Sequence, residues 1–200
     1  MPSPVAHSLI GLALGIAWRI PGSLDLRGFA RQAWAQRGWL FLCIVLANAP
    51  DIDFLFGIPR GNLNVYHQTA THTLVWITLV SLCVWLFARK RHGMPVRGFL
   101  FILALTGSHL IADMCCADYR PPYGIMFGWP FSDRFWHSSV SLFPAVIKNT
   151  WADLWSWHNA GVVAAEIMVT LPILAAVLWW KLRQGQLAPH PSGNAIKNKK

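Results

Sequence analysis

Five apolar segments, nearly free of charge, divide this 200-residue chain and constrain its fold more than any other feature. A helix needs about 20 apolar residues, and at least about 17, to cross a bilayer. Only 12% of the residues are charged, against about 25% in a soluble domain. The sequence therefore predicts an all-α, polytopic membrane helix bundle with about five transmembrane helices. The segments run over residues 5–20, 39–57, 73–88, 98–116 and 161–180.

The distribution of Lys and Arg predicts an orientation. With the N-terminus outside, thirteen of the seventeen positive residues fall on the inner side, in the 21–38 and 89–97 loops, the end of the first segment and the C-terminal tail. Cytoplasmic flanks of membrane helices carry such an excess. We therefore expect an outside N-terminus and a cytoplasmic C-terminus. These flanks account for the net charge of +9, so we expect membrane lipid as a partner and no nucleic acid.

Composition divides the chain into two parts. Residues 1–184 are expected to form one membrane-embedded domain, and residues 185–200 a disordered basic tail rich in Pro, Asn and Lys. Within the domain, residues 117–160 contain several prolines and tryptophans and face the outside. Because indole rings favour the membrane interface, this stretch is predicted to be a partly helical segment lying on the outer face.

Six residues that commonly bind metals come from four separate segments and lie at a similar predicted depth. A rise of about 1.5 Å per residue places them in the outer half of the membrane. Ionisable groups are costly in hydrocarbon, so buried ones indicate a functional site. The six are His7, Asp51, His67, His72, His109 and Asp113.

The spacing of these residues favours shared faces and turns. His109 and Asp113 are four residues apart and share one face of a helix, where both could bind one metal or Asp113 could orient the imidazole. The alternative is a His–Asp hydrogen bond that only joins helices. His67 and His72 do not share a helical face, but they can converge at a helix start. His7 alone is equally compatible with a satisfied polar group in a helix.

Pro50-Asp51-Ile52-Asp53 interrupts the second segment. Proline removes a backbone donor and breaks the helix, and freed backbone groups at membrane depth require protein or water beside them. Asp51 and Asp53 would repel each other unless a cation or proton lay between them. The alternative is a helix end with two solvated carboxylates.

These motifs together resemble the bacterial inner-membrane metal-dependent hydrolase family, some members of which are described as LexA-binding. The resemblance covers about the first 135 residues. It implies that the His and Asp residues bind a divalent metal in the bacterial inner membrane. Where that family usually has His-Arg-Gly-x-Thr-His, this chain has Gln68 and Thr69 between its two histidines, and Cys115-Cys116 replaces a Thr-Pro pair. The motifs that carry the resemblance are Ala6-His7, Pro50-Asp51-Ile52-Asp53, His67-x4-His72, Ser108-His109-x3-Asp113, Gly124 and Trp129-Pro130-Phe131.

The order of ligands is also similar, more weakly, to that of zinc phospholipase C and single-strand nuclease sites. Those sites continue with a further His-x3-Glu, for which this chain has no match. One or two ions are therefore expected. Imidazole mixed with carboxylate suits zinc, with manganese or iron as alternatives, better than calcium.

The leading hypothesis is a membrane-bound hydrolase that acts on an ester or phosphoester, small or lipid-linked, at the outer face. The six residues would bind the metal, and Asp53 would accept a proton as general base. Arg120 and Arg134 would hold an anionic head group. The alternatives are a metal transporter or sensor, whose intramembrane His and Asp form a path, and a membrane protein that docks a cytoplasmic regulator.

Overall fold

A computed structural model of the chain describes residues 1–22, 25–61, 66–119, 123–148 and 150–187. Within these ranges the regular structure is helical, and extended backbone pairs only in two isolated bridges. Short 3-10 turns at Ala49–Asp53, Ile58–Arg60 and Ala70–His72 join the α-helices. The α-helices are α1 (Pro4–Arg19), α2 (Leu26–Ala35), α3 (Arg37–Ala47), α4 (Phe54–Gly57), α5 (Leu74–His92), α6 (Val96–Met114), α7 (Trp151–Leu154) and α8 (Trp157–Leu187).

Each predicted apolar segment forms a helix, so the all-helical membrane fold is confirmed. By the criteria of helix length and apolar composition, the structure has fewer membrane spans than the five expected. In the described part of the chain, α6 and α8 are long and apolar enough to cross a membrane, and α3 with the Ala49–Arg60 stretch gives a third span that bends by 63°. By contrast, α1 has only 16 residues, and α5 ends in the charged run Arg89-Lys90-Arg91.

The last helix extends into the stretch that was predicted to be a disordered tail. Helix α8 continues to Leu187, which makes the first residues of the predicted disordered stretch 185–200 helical. The remainder of that stretch, residues 188–200, lies outside the described residues.

Two glycines allow α1 and α3 to approach closely. A Cβ atom on Gly11 would lie 2.7 Å from Ala47 Cβ and 2.8 Å from the Cys43 carbonyl oxygen. One turn later, a Cβ on Gly15 would lie 2.9 Å from Cys43 Sγ. Small residues four apart let helix backbones pack tightly in membranes. This contact sets the position of Ala47, whose carbonyl is used in the site below.

A buried glutamate ties the start of α1 to α8. Ser3 caps α1 by accepting a hydrogen bond from the Val5 amide at 3.2 Å. The Ser3 backbone amide donates to Glu166 Oε1 at 2.6 Å, and the Ser3 hydroxyl donates to the second oxygen of the same carboxylate. Because Glu166 is fully buried, these bonds fix the end of α1 that carries His7.

Helix α2 lies within a stretch that the sequence indicated only as an inner loop. The Asp25 side chain caps it by accepting from the Gly28 amide at 2.5 Å. Phe29 is buried, whereas Leu26 and Trp34 are largely exposed among polar residues. Helix α2 is therefore amphipathic, a pattern suited to a membrane interface.

The stretch between α6 and α8, which we call the lid (residues 117–156), is mainly irregular. Its described backbone is held by main-chain bonds: the Ala117 amide donates to the Phe143 carbonyl at 2.8 Å, and Ile125 and Trp136 exchange bonds of 3.0 and 2.9 Å. Gly124 adopts a φ of 90°, and a Cβ there would lie 2.0 Å from the Trp136 carbonyl oxygen. Within the stretch 117–160, which was predicted to be partly helical, the described helical residues are the four of α7 and the first four of α8.

Candidate metal centre

The structure brings all six predicted ligands and Asp53 into one buried cluster beneath the lid. Their nitrogen and carboxylate oxygen atoms form three groups, in each of which the potential ligand atoms lie within 4.8 Å of one another. His72 and His109 are fully buried, and the remaining five side chains are no more than 9% exposed. The groups are His7, His109 and Asp113; Asp51, His72 and His109; and Asp53, His67 and His72.

Four of these atoms form the centre of the cluster, which we call the quartet: His72 Nε2, His109 Nε2, Asp51 Oδ1 and Asp113 Oδ2. His72 Nε2 lies 3.3 Å from His109 Nε2, 3.5 Å from Asp51 Oδ1 and 3.3 Å from Asp113 Oδ2. His109 Nε2 lies 3.4 Å from Asp51 Oδ1 and 3.5 Å from Asp113 Oδ2. Five of the six separations within the quartet therefore fall between 3.3 and 3.5 Å.

Each of these five separations matches the distance between two neighbouring ligand atoms around a tetrahedral metal ion. Zinc binds imidazole nitrogen and carboxylate oxygen at about 2.0–2.1 Å, which gives an edge of about 3.4 Å in tetrahedral geometry. The five separations define two triangles that share the His72–His109 edge, one completed by Asp51 and the other by Asp113, and each triangle has the size of one face of such a tetrahedron.

The backbone of α3 orients His109. The Nδ1 atom of His109 lies 2.8 Å from the Ala47 carbonyl oxygen. A carbonyl only accepts, so Nδ1 carries the proton and donates it, and the lone pair of Nε2 faces the quartet. Metal-binding histidines usually have their second nitrogen fixed in this way. The tight contact of Gly11 with Ala47 supports this carbonyl from behind.

Asp53 has the corresponding role toward His72. Its Oδ2 atom lies 3.2 Å from His72 Nδ1 and accepts a 2.8 Å hydrogen bond from the Thr71 hydroxyl. Its Oδ1 atom lies 3.1 Å from His67 Nδ1. Both carboxylate oxygens of Asp53 are therefore engaged with side chains, and the arrangement is suited to orienting His72. Helix α5 is capped by Thr73, which accepts from the Trp76 amide at 3.1 Å.

His67 reaches the cluster through a backbone turn. Gln68 adopts a φ of 65°, a conformation that is uncommon for residues other than glycine, and this turn lets His67 and His72 face the same carboxylate. The ring of His67 stacks on Phe54 with 4.4 Å between centroids. Burial, with the charge of Lys148 adding to it, lowers the pKa of His67 to about 3. The imidazole is therefore neutral, which is the form that binds metals.

His7 flanks the quartet beside Asp113 and His109. Its Nε2 atom is 3.4 Å from Asp113 Oδ1, and its ring stacks on that of His109 with 3.8 Å between centroids. The two oxygens of Asp113 thus face different imidazoles, with Oδ1 toward His7 and Oδ2 toward the quartet. If a second ion were bound, Asp113 would be placed to hold both ions.

Many polar atoms of the cluster lack a hydrogen-bond partner among the described residues. These atoms are both ring nitrogens of His7, His67 Nε2 and both carboxylate oxygens of Asp51 and of Asp113. Buried polar atoms nearly always have partners, because leaving them unpaired costs about 1–3 kcal/mol each and more for charged groups. A cation between these atoms would supply the missing interactions, so the residues fit a divalent metal.

Of the two arginines predicted to bind substrate, the structure describes one. Arg134 is exposed on the lid, and Arg120 lies outside the described residues. Lys148, which no sequence motif indicated, lies near the cluster instead: its Nζ atom is 4.7 Å from the centre of the Phe54 ring. The only sequence signal for Lys148 was its place among the few positive residues on the outer side.

Comparisons with known proteins agree with the apolar helices in locating the chain in the inner membrane. The chain is similar to "Inner membrane protein YbcI" of Escherichia coli (strain K12), with 28% identity over 193 residues that cover 92% of this chain and 100% of that protein. No solved structure matches the chain. A family described as YdjM inner membrane protein matches residues 1–185. The expected bacterial inner-membrane family is thereby confirmed, although neither name mentions a metal or hydrolysis, and the chain belongs to the YdjM inner membrane protein family.

Proposed function

We propose that this chain is a membrane-bound metal-dependent hydrolase. The observation that carries the proposal is the set of five separations of 3.3–3.5 Å within the quartet, which match the edge of a tetrahedron around one transition-metal ion. Two imidazoles and two carboxylates favour zinc, with manganese and iron as alternatives. His7 and His67 flank the quartet and provide further ligand atoms for an expanded shell or a second ion.

Hydrolysis is the chemistry that such a centre serves well. A bound divalent ion lowers the pKa of a coordinated water toward about 7 and so supplies hydroxide at neutral pH. The negative charges of Asp51 and Asp113 would attract the ion. The Ala47 carbonyl orients the ring of His109, and Asp53 orients the ring of His72. The role of Asp53 as general base remains part of the proposal, but its oxygens contact His67, Thr71 and the Nδ1 side of His72, so its position supports orienting the imidazole more directly.

The position of the centre supports an ester or phosphoester substrate with an apolar part. The ligands lie at the membrane-embedded end of several apolar helices, beneath a lid with exposed aromatic side chains such as Phe131 and Trp155. Such side chains favour the lipid interface, which gives a route for a lipid-linked molecule. A transporter would need a path to the opposite face, whereas these ligands gather at one end of the bundle.

The test is metal analysis combined with hydrolysis. Purified wild-type protein is expected to retain at least one zinc, manganese or iron ion per chain and to hydrolyse a p-nitrophenyl phosphodiester. His109→Ala and Asp113→Ala should lose both the metal and the activity. His158→Ala changes an exposed histidine and serves as the matched control. Retention of metal by both quartet variants would contradict the proposal, as would uptake of metal into sealed vesicles without hydrolysis.

The orientation remains a prediction. A reporter fused to the C-terminus should be active in the cytoplasm, and one fused to the N-terminus should be active outside the inner membrane. The opposite pattern would move the centre to the cytoplasmic side and remove the outer-leaflet substrate from the proposal.

A further inference from the structure

Lys148 lies on the lid, close to the metal centre. Its Nζ atom lies over the Phe54 ring, 4.7 Å from the centroid, and against the sulfur of Met1. The Phe54 ring in turn stacks on His67 at 4.4 Å with an interplanar angle of 10°. The ammonium of Lys148 and the imidazole of His67, a candidate ligand, therefore contact the same aromatic ring.

The ammonium is within electrostatic reach of all three carboxylates of the cluster. Burial lowers the pKa of Lys148 to about 8, and the charges of Asp51, Asp113 and Asp53 oppose that shift. Lys148 therefore remains mainly protonated near neutral pH. Its positive charge therefore interacts with the same carboxylates that would hold the metal.

The backbone beside Lys148 is held firmly. The Ile147 amide donates to Asn159 Oδ1 at 2.9 Å, and Asn159 Nδ2 donates to the Ile147 carbonyl at 2.6 Å. Asn159 Nδ2 also donates to the Asp153 carbonyl at 2.7 Å, and the side chain of Asn159 is buried. This amide clamp joins the lid to the start of α8 and fixes the direction in which Lys148 leaves the backbone.

Charge balance explains why a cation is useful here. Asp51, Asp53 and Asp113 carry three negative charges, and one divalent ion leaves the centre with one negative charge. An anionic substrate would then be repelled, since like charges within a few ångströms disfavour each other at low dielectric. Lys148 brings the sum to zero.

We infer that Lys148 and the metal centre together form a binding site for the negatively charged oxygen of a phosphoester. The inference rests on the proposed function and narrows its substrate class from esters in general to phosphoesters. A phosphate oxygen accepts a charge-assisted hydrogen bond from an ammonium. Lys148 takes the place that the sequence had given to Arg120 and Arg134.

The test measures binding of inorganic phosphate to zinc-loaded protein in a neutral detergent by calorimetry. Lys148→Met should weaken phosphate binding about ten-fold to a hundred-fold, the range for a lost hydrogen bond to a charged group, and Lys148→Arg should keep most of the affinity. Arg134→Met removes the same charge from an exposed position of the lid and should bind as wild type does. Equal affinity of Lys148→Met and wild type would overturn the inference.

Zinc content separates this inference from the proposed function. All three variants should bind as much zinc as wild type, which also shows that they are folded. If wild type binds no zinc, the proposed function fails; if zinc binds and Lys148→Met still binds phosphate normally, only the inference fails. Displacement of phosphate by short-chain phosphatidylglycerol alone supports a lipid-borne substrate, and displacement by glycerol 3-phosphate alone supports a soluble one. Displacement by neither overturns the site.

Discussion

The candidate metal centre and the lid lie at the same end of the helix bundle, but different kinds of contact hold them. The centre is held by side chains, such as Asp53 on His72, and by one backbone carbonyl, that of Ala47 on His109. The lid is held by main-chain hydrogen bonds, such as those between Ile125 and Trp136, together with side-chain bonds to its backbone, such as those of Asn159. The proposed chemistry therefore depends on the identities of a few side chains, whereas the shape of the lid also depends on the course of its backbone.

The largest expected effect is a difference in zinc affinity between variants of the quartet and variants of the flanking histidines. His72→Ala removes a quartet ligand and should lower zinc affinity by more than about 100-fold, since even outer-shell changes cost about 10–100-fold. His67→Ala removes only a flanking imidazole, and we expect about a ten-fold loss. Competition with a chromophoric chelator measures both. His92→Ala, at the exposed end of α5, is the control, and equal losses for His67 and His72 would remove the distinction.

Asp53→Asn tests whether the contacts of the Asp53 carboxylate with His67 and His72 support zinc binding, because it changes the charge of the side chain but hardly its size. The amide cannot replace the carboxylate on both His67 and His72, so zinc affinity should fall about 10–100-fold. A second readout is the turnover number at saturating zinc, which falls further only if Asp53 also accepts the proton. Asp118→Asn makes the same change on the lid and should leave zinc affinity intact. An unchanged affinity in Asp53→Asn would show that His72 does not depend on Asp53.

Gly11→Ala tests whether the packing of α1 on α3 supports the centre. The added methyl would meet Ala47 Cβ at 2.7 Å and the Cys43 carbonyl at 2.8 Å, and such overpacking costs about 1–3 kcal/mol. Thermal unfolding in detergent should show the loss, together with weaker zinc binding. Gly38→Ala, where an added Cβ meets nothing within 4 Å, should be neutral or stabilising. The comparison fails if the two variants unfold alike.

The smallest effect is expected on the lid. Trp155 is 89% exposed, and changes at such surface positions usually alter stability by no more than about 0.5 kcal/mol. Trp155→Ser should therefore keep its zinc content, measured by metal analysis, and its unfolding temperature in detergent. Loss of zinc in this variant would show that the lid and the centre are not independent.

The sequence predicted the helices and the convergence of the six ligands because both follow from residue type and spacing. His109 and Asp113 share a helical face, and Pro50 breaks its helix where the pattern indicated. Helix α2 was missed because its apolar residues alternate with arginines in a short stretch, although Asp25 before Leu26 was a capping signal.

Other features of the site could not be read from spacing. The use of the Ala47 carbonyl by His109 depends on how closely α1 and α3 approach, and the engagement of both Asp53 oxygens depends on the turn at Gln68. Lys148 was overlooked because its role arises from its neighbours in space, Phe54 and Met1, which are distant in sequence. Main-chain geometry and long-range contacts carry this information, and residue types alone do not.

X-ray absorption spectroscopy of the zinc-loaded protein tests the central claim most directly. The quartet predicts a shell of nitrogen and oxygen atoms only, at about 2.0–2.1 Å, with the outer-shell scattering of at least two imidazoles. A sulfur ligand at about 2.3 Å would place the metal on cysteine and contradict the account, as would a protein that retains no zinc.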